Sequence, residues 1–90
     1  MKEKRWSLNN LMEQLEECEA LLIDGHDEAL IGIGGAFNQR AAVYDRQKIL
    51  DKLVADGLTV EEADEYISYN IEGSFVGERT PIIVEMRTDE

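Results

Sequence analysis

Two side chains of this 90-residue sequence could form a nucleophile–base pair: Cys18 and His26, its single thiol and single imidazole. Thiol chemistry needs an accessible sulfur whose pKa is lowered by a neighbouring base or cation. Cys18 instead falls with Leu8, Leu11, Met12, Leu15, Leu22 and Ile23 on the apolar arc of an amphipathic stretch, where a thiol packs rather than reacts. His26 stands in the polar turn "DGHDEA", close to Asp24, Asp27 and Glu28. Oxygen-rich clusters suit hard divalent cations. The spacing matches neither a calcium-binding helix–loop–helix nor a zinc motif. The turn therefore reads as solvated chain, and neither metal nor cofactor is expected.

A third chemistry is anion binding. Gly32, Gly34 and Gly35 lie in "GIGGAFNQR", and Arg40, Arg46 and Lys48 follow. The Gly-x-Gly-x-x-Gly order and the Gly-Lys-Ser/Thr ending are both missing, and no helix opens directly behind the glycines. Residues 40–52 nevertheless carry four basic side chains against Asp45 and Asp51. A small anionic ligand such as a signalling nucleotide could sit between them and the glycines, in a site formed between subunits. The plainer reading is that the glycines permit a tight hairpin.

Acids dominate elsewhere. Nine basic and 20 acidic side chains give a net charge of −11. Such a surface repels nucleic acid and anionic membrane, and attracts basic protein surfaces. Residues 61–72 hold five acids with no Lys or Arg, and residues 13–28 hold seven more on the same terms. On a helical wheel Glu61, Glu65, Ser68 and Glu72 share a narrow sector, flanked by Glu62 and Asp64 and bordered by Tyr69. Carboxylates held rigidly could imitate backbone phosphates and capture a basic nucleic-acid-binding protein, with strong salt sensitivity. Tyr69 would supply an aromatic anchor. The plainer reading is a solvated face whose first-turn acids favour the positive helix N-terminus, but it leaves Glu72 and the acids of the first helix region unexplained. Acid–base catalysis by two carboxylates requires burial that parts their pKa values. These acids face water, so the sequence reads as non-enzymatic.

The elements that must position these residues follow from caps and periodicity. Ninety residues allow one domain with a modest core: a basic lead over 1–6, an amphipathic helix over 7–23 capped by Ser7, and an α+β core over 29–86. Glu19 interrupts the helix's apolar arc. Trp6, Leu8, Leu11, Met12 and Leu15 are expected to form a homo-oligomer interface, because a small domain gains from docking on its copy. "LIGIGG" and "RAAVY" read as a hairpin loosely joined by "AFNQ". Asp45 caps a helix whose buried stripe is Ile49, Leu50, Leu53 and Val54; Gly57 closes it and Leu58 packs beside the cap. Thr59 and Glu62 have capping-box spacing and open a third helix with apolar positions Val60, Ala63, Ile67 and Ile71. "IIVEM" is a last strand. The order α-β-β-α-α-β is most economically an α+β fold, a small antiparallel sheet packed by helices on one face. No apolar run is long enough to span a bilayer. The lone cysteine can make no internal disulfide, and a cytoplasmic location is expected.

Over residues 42–84 a Tyr-Asp pair opens a helix, a Gly precedes a Ser/Thr-capped acidic helix, and an aromatic-Asn pair, glycines and Thr-Pro lead to the last strand. Tyr44, Asp45, Gly57, Thr59, Glu62, Ala63, Tyr69, Asn70, Gly73, Gly77, Thr80 and Pro81 carry this pattern. The stretch resembles a widespread group of small acidic proteins encoded by bacteriophages. "ALIGIGGAFN" fits the pattern too, and the first helix lies outside it. The resemblance brings no catalytic residues. It implies a small phage protein acting on host machinery in the host cytoplasm. The leading expectation is a non-enzymatic protein that binds a host or phage protein through Glu61, Glu62, Glu65, Tyr69 and Glu72, as a nucleic-acid mimic in counter-defence or host takeover. The alternative is an oligomeric binder of a small anionic ligand.

Overall fold

The computed structural model describes residues 7–36, 39–73, 77 and 79–87. Helix α1 (Leu8–Glu17) begins where the Ser7 hydroxyl accepts a hydrogen bond from the Asn10 amide at 3.2 Å. It ends at Glu17 rather than running on to residue 23. The reason lies in the backbone: Glu19 adopts a left-handed conformation with φ 58°. Its amide donates to the Glu16 carbonyl at 3.0 Å, and the Ala20 amide donates to the Leu15 carbonyl at 2.9 Å. This is a Schellman motif with a glutamate where glycine is usual. Glu19 thus never projects from an apolar arc; the chain reverses there and leaves it exposed.

After a 3-10 turn (Asp27–Ala29), strands β1 (Leu30–Ala36) and β2 (Gln39–Asp45) pair antiparallel, with Ile33 opposite Ala42 and Gly34 opposite Ala41. Ala36 pairs with Gln39, so the hairpin closes more tightly than "AFNQ" suggests; residues 37 and 38 lie outside the described residues. Helix α2 (Arg46–Ala55) starts with Asp45 accepting from the Gln47 amide at 3.0 Å. Gly57, at φ 114°, ends it, and the Leu58 amide donates to the Leu53 carbonyl at 3.1 Å. Helix α3 (Val60–Tyr66) carries both bonds of the expected capping box: Glu62 amide to Thr59 hydroxyl at 3.1 Å, Thr59 amide to Glu62 carboxylate at 2.9 Å. It continues without a break into a π-helical segment (Ile67–Glu72).

Strand β3 (Ile82–Val84) is shorter than "IIVEM" and joins β2 in parallel, Tyr44 opposite Ile83. The sheet is therefore mixed, in the order β1-β2-β3, and not wholly antiparallel. Antiparallel neighbours can follow a tight hairpin, whereas a parallel neighbour needs a long crossover. Helices α2 and α3 and the π segment supply that crossover. The fold is α+β, as the element order predicts.

One sheet face meets the helices. Ala42 and Tyr44 are buried there with Leu11 and Leu15 of α1, Ile49 of α2 and Ile67, and Ile33, Leu50, Leu53, Ile71 and Ile83 pack around them. Val54 and Val60, expected inside, are exposed. Tyr44 is fully buried, and its hydroxyl accepts a hydrogen bond from the Ile23 amide at 2.9 Å. That bond ties the chain leaving α1 to the central strand. Tyr44→Phe keeps the ring and strands the Ile23 donor, so a loss of about 1–3 kcal/mol is expected. The measurement is the urea midpoint at unchanged slope; an unmoved midpoint would contradict this role for the hydroxyl.

Candidate functional site

The acids of the third helix are not equivalent. Arg46, the first residue of α2, extends its guanidinium across the α3–π junction. Nη2 lies 2.8 Å from Asp64 Oδ1 and 3.3 Å from the Ser68 hydroxyl, and it donates to the Asp64 carbonyl at 3.4 Å. Nε donates to Glu72 Oε1 at 3.1 Å. The Arg46 side chain is only 13% exposed. Desolvation works against its charge, and the hydrogen bonds to Asp64 and Glu72 outweigh it, leaving its pKa raised.

The π winding explains how three residues reach one guanidinium. Asp64, Ser68 and Glu72 recur every four residues, an interval that overshoots the 3.6-residue turn of an α-helix. An i→i+5 turn takes more residues per revolution, so Ser68 and Glu72 rotate back into line with Asp64. Ala63, Ile67 and Ile71 have the same spacing, and the same winding keeps all three toward the core. Ser68 and Glu72 therefore leave the sector assigned to them beside Glu61 and Glu65. Glu72, expected on the partner-binding face, is an internal ion-pair residue. Sequence reasoning missed this because a wheel drawn at α-helical pitch cannot represent a π segment.

Glu61, Glu65 and Tyr69 remain on the outer side. Both glutamates are exposed, and Tyr69 is 78% exposed, too much for a residue held by the core. Tyr66 and Val60 are exposed beside them. Glu62 is exposed but occupied by the capping box; the Thr59 amide, chiefly, lowers its pKa below the usual carboxylate range. Among the described residues no basic side chain pairs with Glu61 or Glu65.

Within one chain the residues of the expected anion site are not brought together. Arg46 is committed to α3, and Lys48 opens toward a different depression from Arg46. Arg40 is exposed on β2, opposite the exposed Gly35. Gly34 has a packing reason to be glycine: a Cβ there would lie 2.8 Å from Val43 Cγ2 and 3.1 Å from Ile82 Cδ1. At Gly32 a Cβ would meet nothing within 4 Å. The expected oligomer interface is also largely used up within the chain. Leu11 and Leu15 are buried in the molecule's own core and Met12 packs against it, because α1 lies on the sheet. Leu8 is exposed, and Trp6 lies outside the described residues.

A cleft of about 500 Å³ separates the Asp27–Ala29 turn from α2, with His26, Glu28, Lys48, Asp51 and Lys52 on its walls. His26 is 8% exposed, not solvated as its polar turn suggests, and its Nδ1 is buried with no hydrogen-bond partner among the described residues. The entry of Ala29 and Leu30 into the core draws it inward. "DGHDEA" gives no sign of this, although the apolar run that follows could have done. The thiol of Cys18 donates to the Leu15 carbonyl at 3.4 Å as a packing group. No group of three or more His, Cys, Asp or Glu among the described residues is placed to hold a metal ion. No helix among them is long and apolar enough to cross a membrane.

Two predictions follow from this geometry. Arg46→Ala should lower stability by about 1–2 kcal/mol, allowing for solvent screening at Asp64 and Glu72. Arg46→Lys should recover less than half of that, because an ammonium lacks the planar fork; wild-type stability in Arg46→Lys would reduce the contact to a point charge. The second concerns pH. Burial, then Lys52, lowers the His26 pKa below the ordinary 6.5, and Asp56 opposes the change. Between the folded and unfolded values the unfolded chain binds the extra proton, so stability falls as pH drops below 6.5 and this component is absent above it. His26→Gln should flatten the slope of unfolding free energy between neutral pH and about pH 5.5; equal slopes would refute the buried neutral ring. Set against known proteins, the chain matches no protein-family model, no curated protein and no solved structure.

Proposed function

We propose that this chain is a non-enzymatic binding protein that presents Glu61, Glu65 and Tyr69 to a basic surface of a protein partner. The observation that carries the reading is the division of the helix acids. Asp64 and Glu72 share the guanidinium of Arg46, while Glu61 and Glu65 stay exposed beside an aromatic ring that the core does not use. Tyrosine is enriched among residues that dominate binding energy, and a rim of charge steers association. A surface with net charge −11 suits a partner that normally handles nucleic acid, with the carboxylates standing in for phosphates. The resemblance to small phage-encoded acidic proteins supplies the setting, modulation of a host or phage protein in the host cytoplasm. Glu62 stays at the edge of the surface, and Glu72 drops out of it.

The test is parallel capture from bacterial lysate with the wild-type chain and with Glu61→Lys/Glu65→Lys, at low and moderate salt. A basic nucleic-acid-handling protein should be retained by the wild type, released as salt rises, and absent from the variant. Tyr69→Ala should weaken the purified complex by about 2 kcal/mol, roughly thirtyfold in Kd. Equal retention by the folded charge-reversal variant would reduce the acidic face to solvation.

A further inference from the structure

The cleft between the Asp27–Ala29 turn and α2 has features that the acidic surface does not account for. Only six basic side chains occur among the described residues, Arg40, Arg46, Lys48, Lys52, Arg79 and Arg87, and two of them line this one cleft. Lys48 and Lys52 are four residues apart on α2, so both ammonium groups come from the same helix face. Glu28 and Asp51 on the walls, with Asp56, balance their charge, but among the described residues no carboxylate lies within ion-pair distance of Lys48. Asp51 is engaged by the Gln47 side-chain amide at 2.8 Å, and Lys52 reaches Asp56 at a loose 3.5 Å. Beneath them lies His26, nearly fully buried, with an unpartnered Nδ1. Nδ1 itself is out of reach from solvent, so what the cleft presents is the rest of the imidazole ring. A volume of about 500 Å³ is within the range of small-molecule sites.

We propose that this cleft binds a small anion bearing a phosphate or carboxylate group, held by Lys48 and Lys52 against the imidazole of His26. Glu28 and Asp51 on the walls limit the charge it accepts, favouring one anionic group over a polyphosphate. Desolvation and Lys52 favour the neutral ring, so an anion in contact would favour its protonation. The site is independent of the acidic helix surface, which lies on other residues.

The experiment uses the chain's single histidine as reporter. Inorganic phosphate and acetate are titrated in separate arms into isotope-labelled protein at fixed ionic strength, with chloride as control, while the His26 ring resonances are followed by NMR. Saturable shifts of His26 and of the Lys48 and Lys52 amides in either arm are expected, and the responding arm identifies the headgroup. Lys48→Gln/Lys52→Gln should weaken the midpoint at least about tenfold, whereas Glu61→Lys/Glu65→Lys should leave it in place. Lys48→Gln alone, at an exposed helix position, carries the comparison if the double variant loses its fold. Shifts that grow linearly, match those in chloride, or persist unchanged in the lysine variant would overturn the site.

Discussion

Arg46 decides how the second half of this molecule is put together. It stands at the hinge between the central strand and the helical crossover, one residue after the N-cap Asp45. From there it reaches Asp64, Ser68 and Glu72 on the far limb of that crossover. An arginine can serve three partners because its planar fork presents donors in fixed directions. The partners can be served because the π segment aligns residues four apart. Neither feature suffices alone: at α-helical pitch Glu72 would turn away, and an ammonium could not span the row. The parallel pairing of β3 with β2 depends on the same crossover, since the chain must return along the sheet after α3.

The contact also sorts charge. In a chain with net charge −11, a row of helix carboxylates costs stability through mutual repulsion. Arg46 offsets half the charge of one row and leaves the other row unpaired among the described residues. The exposed row then has an electrostatic character that the helix does not need for its own stability, apart from the first-turn preference of Glu61 for the positive helix end. Salt should weaken what that row attracts more than it weakens the Arg46 contact, whose guanidinium is largely buried although its carboxylate partners are not.

Much of the architecture is written in local chemistry. Ser7, Asp45 and the Thr59–Glu62 box mark three helix starts, and Gly57 with Leu58 marks an end, because caps are satisfied by neighbours in sequence. The period of two in a strand puts Ala42 and Tyr44 on one buried face, but four successive apolar residues in "RAAVY" conceal which face that is. What the sequence hid is non-local or non-standard. Glu19 ends α1 in a conformation for which glycine would be the signal, so the helix reads as longer than it is. The parallel β3 depends on where the crossover lands, which no short window records. Arg46 appears basic and free until its partners, 18 to 26 residues away, are brought to it. His26 looks wet because its neighbours in sequence are polar, whereas the fold leaves it only 8% exposed. The exposure of Glu61, Glu65 and Tyr69 is legible in the sequence; the pairing of Glu72 with Arg46 is not, for want of the π turn.

The central claim is that the helix acids divide into a structural row and a free row. The most direct measurement compares the thermal midpoints of two variants that remove the same charge, Asp64→Asn/Glu72→Gln and Glu61→Gln/Glu65→Gln. The account predicts that the first pair lowers the midpoint clearly, while the second shifts stability by no more than about 0.5 kcal/mol in either direction. Equal shifts in the two variants, or a larger loss in the second, would contradict it.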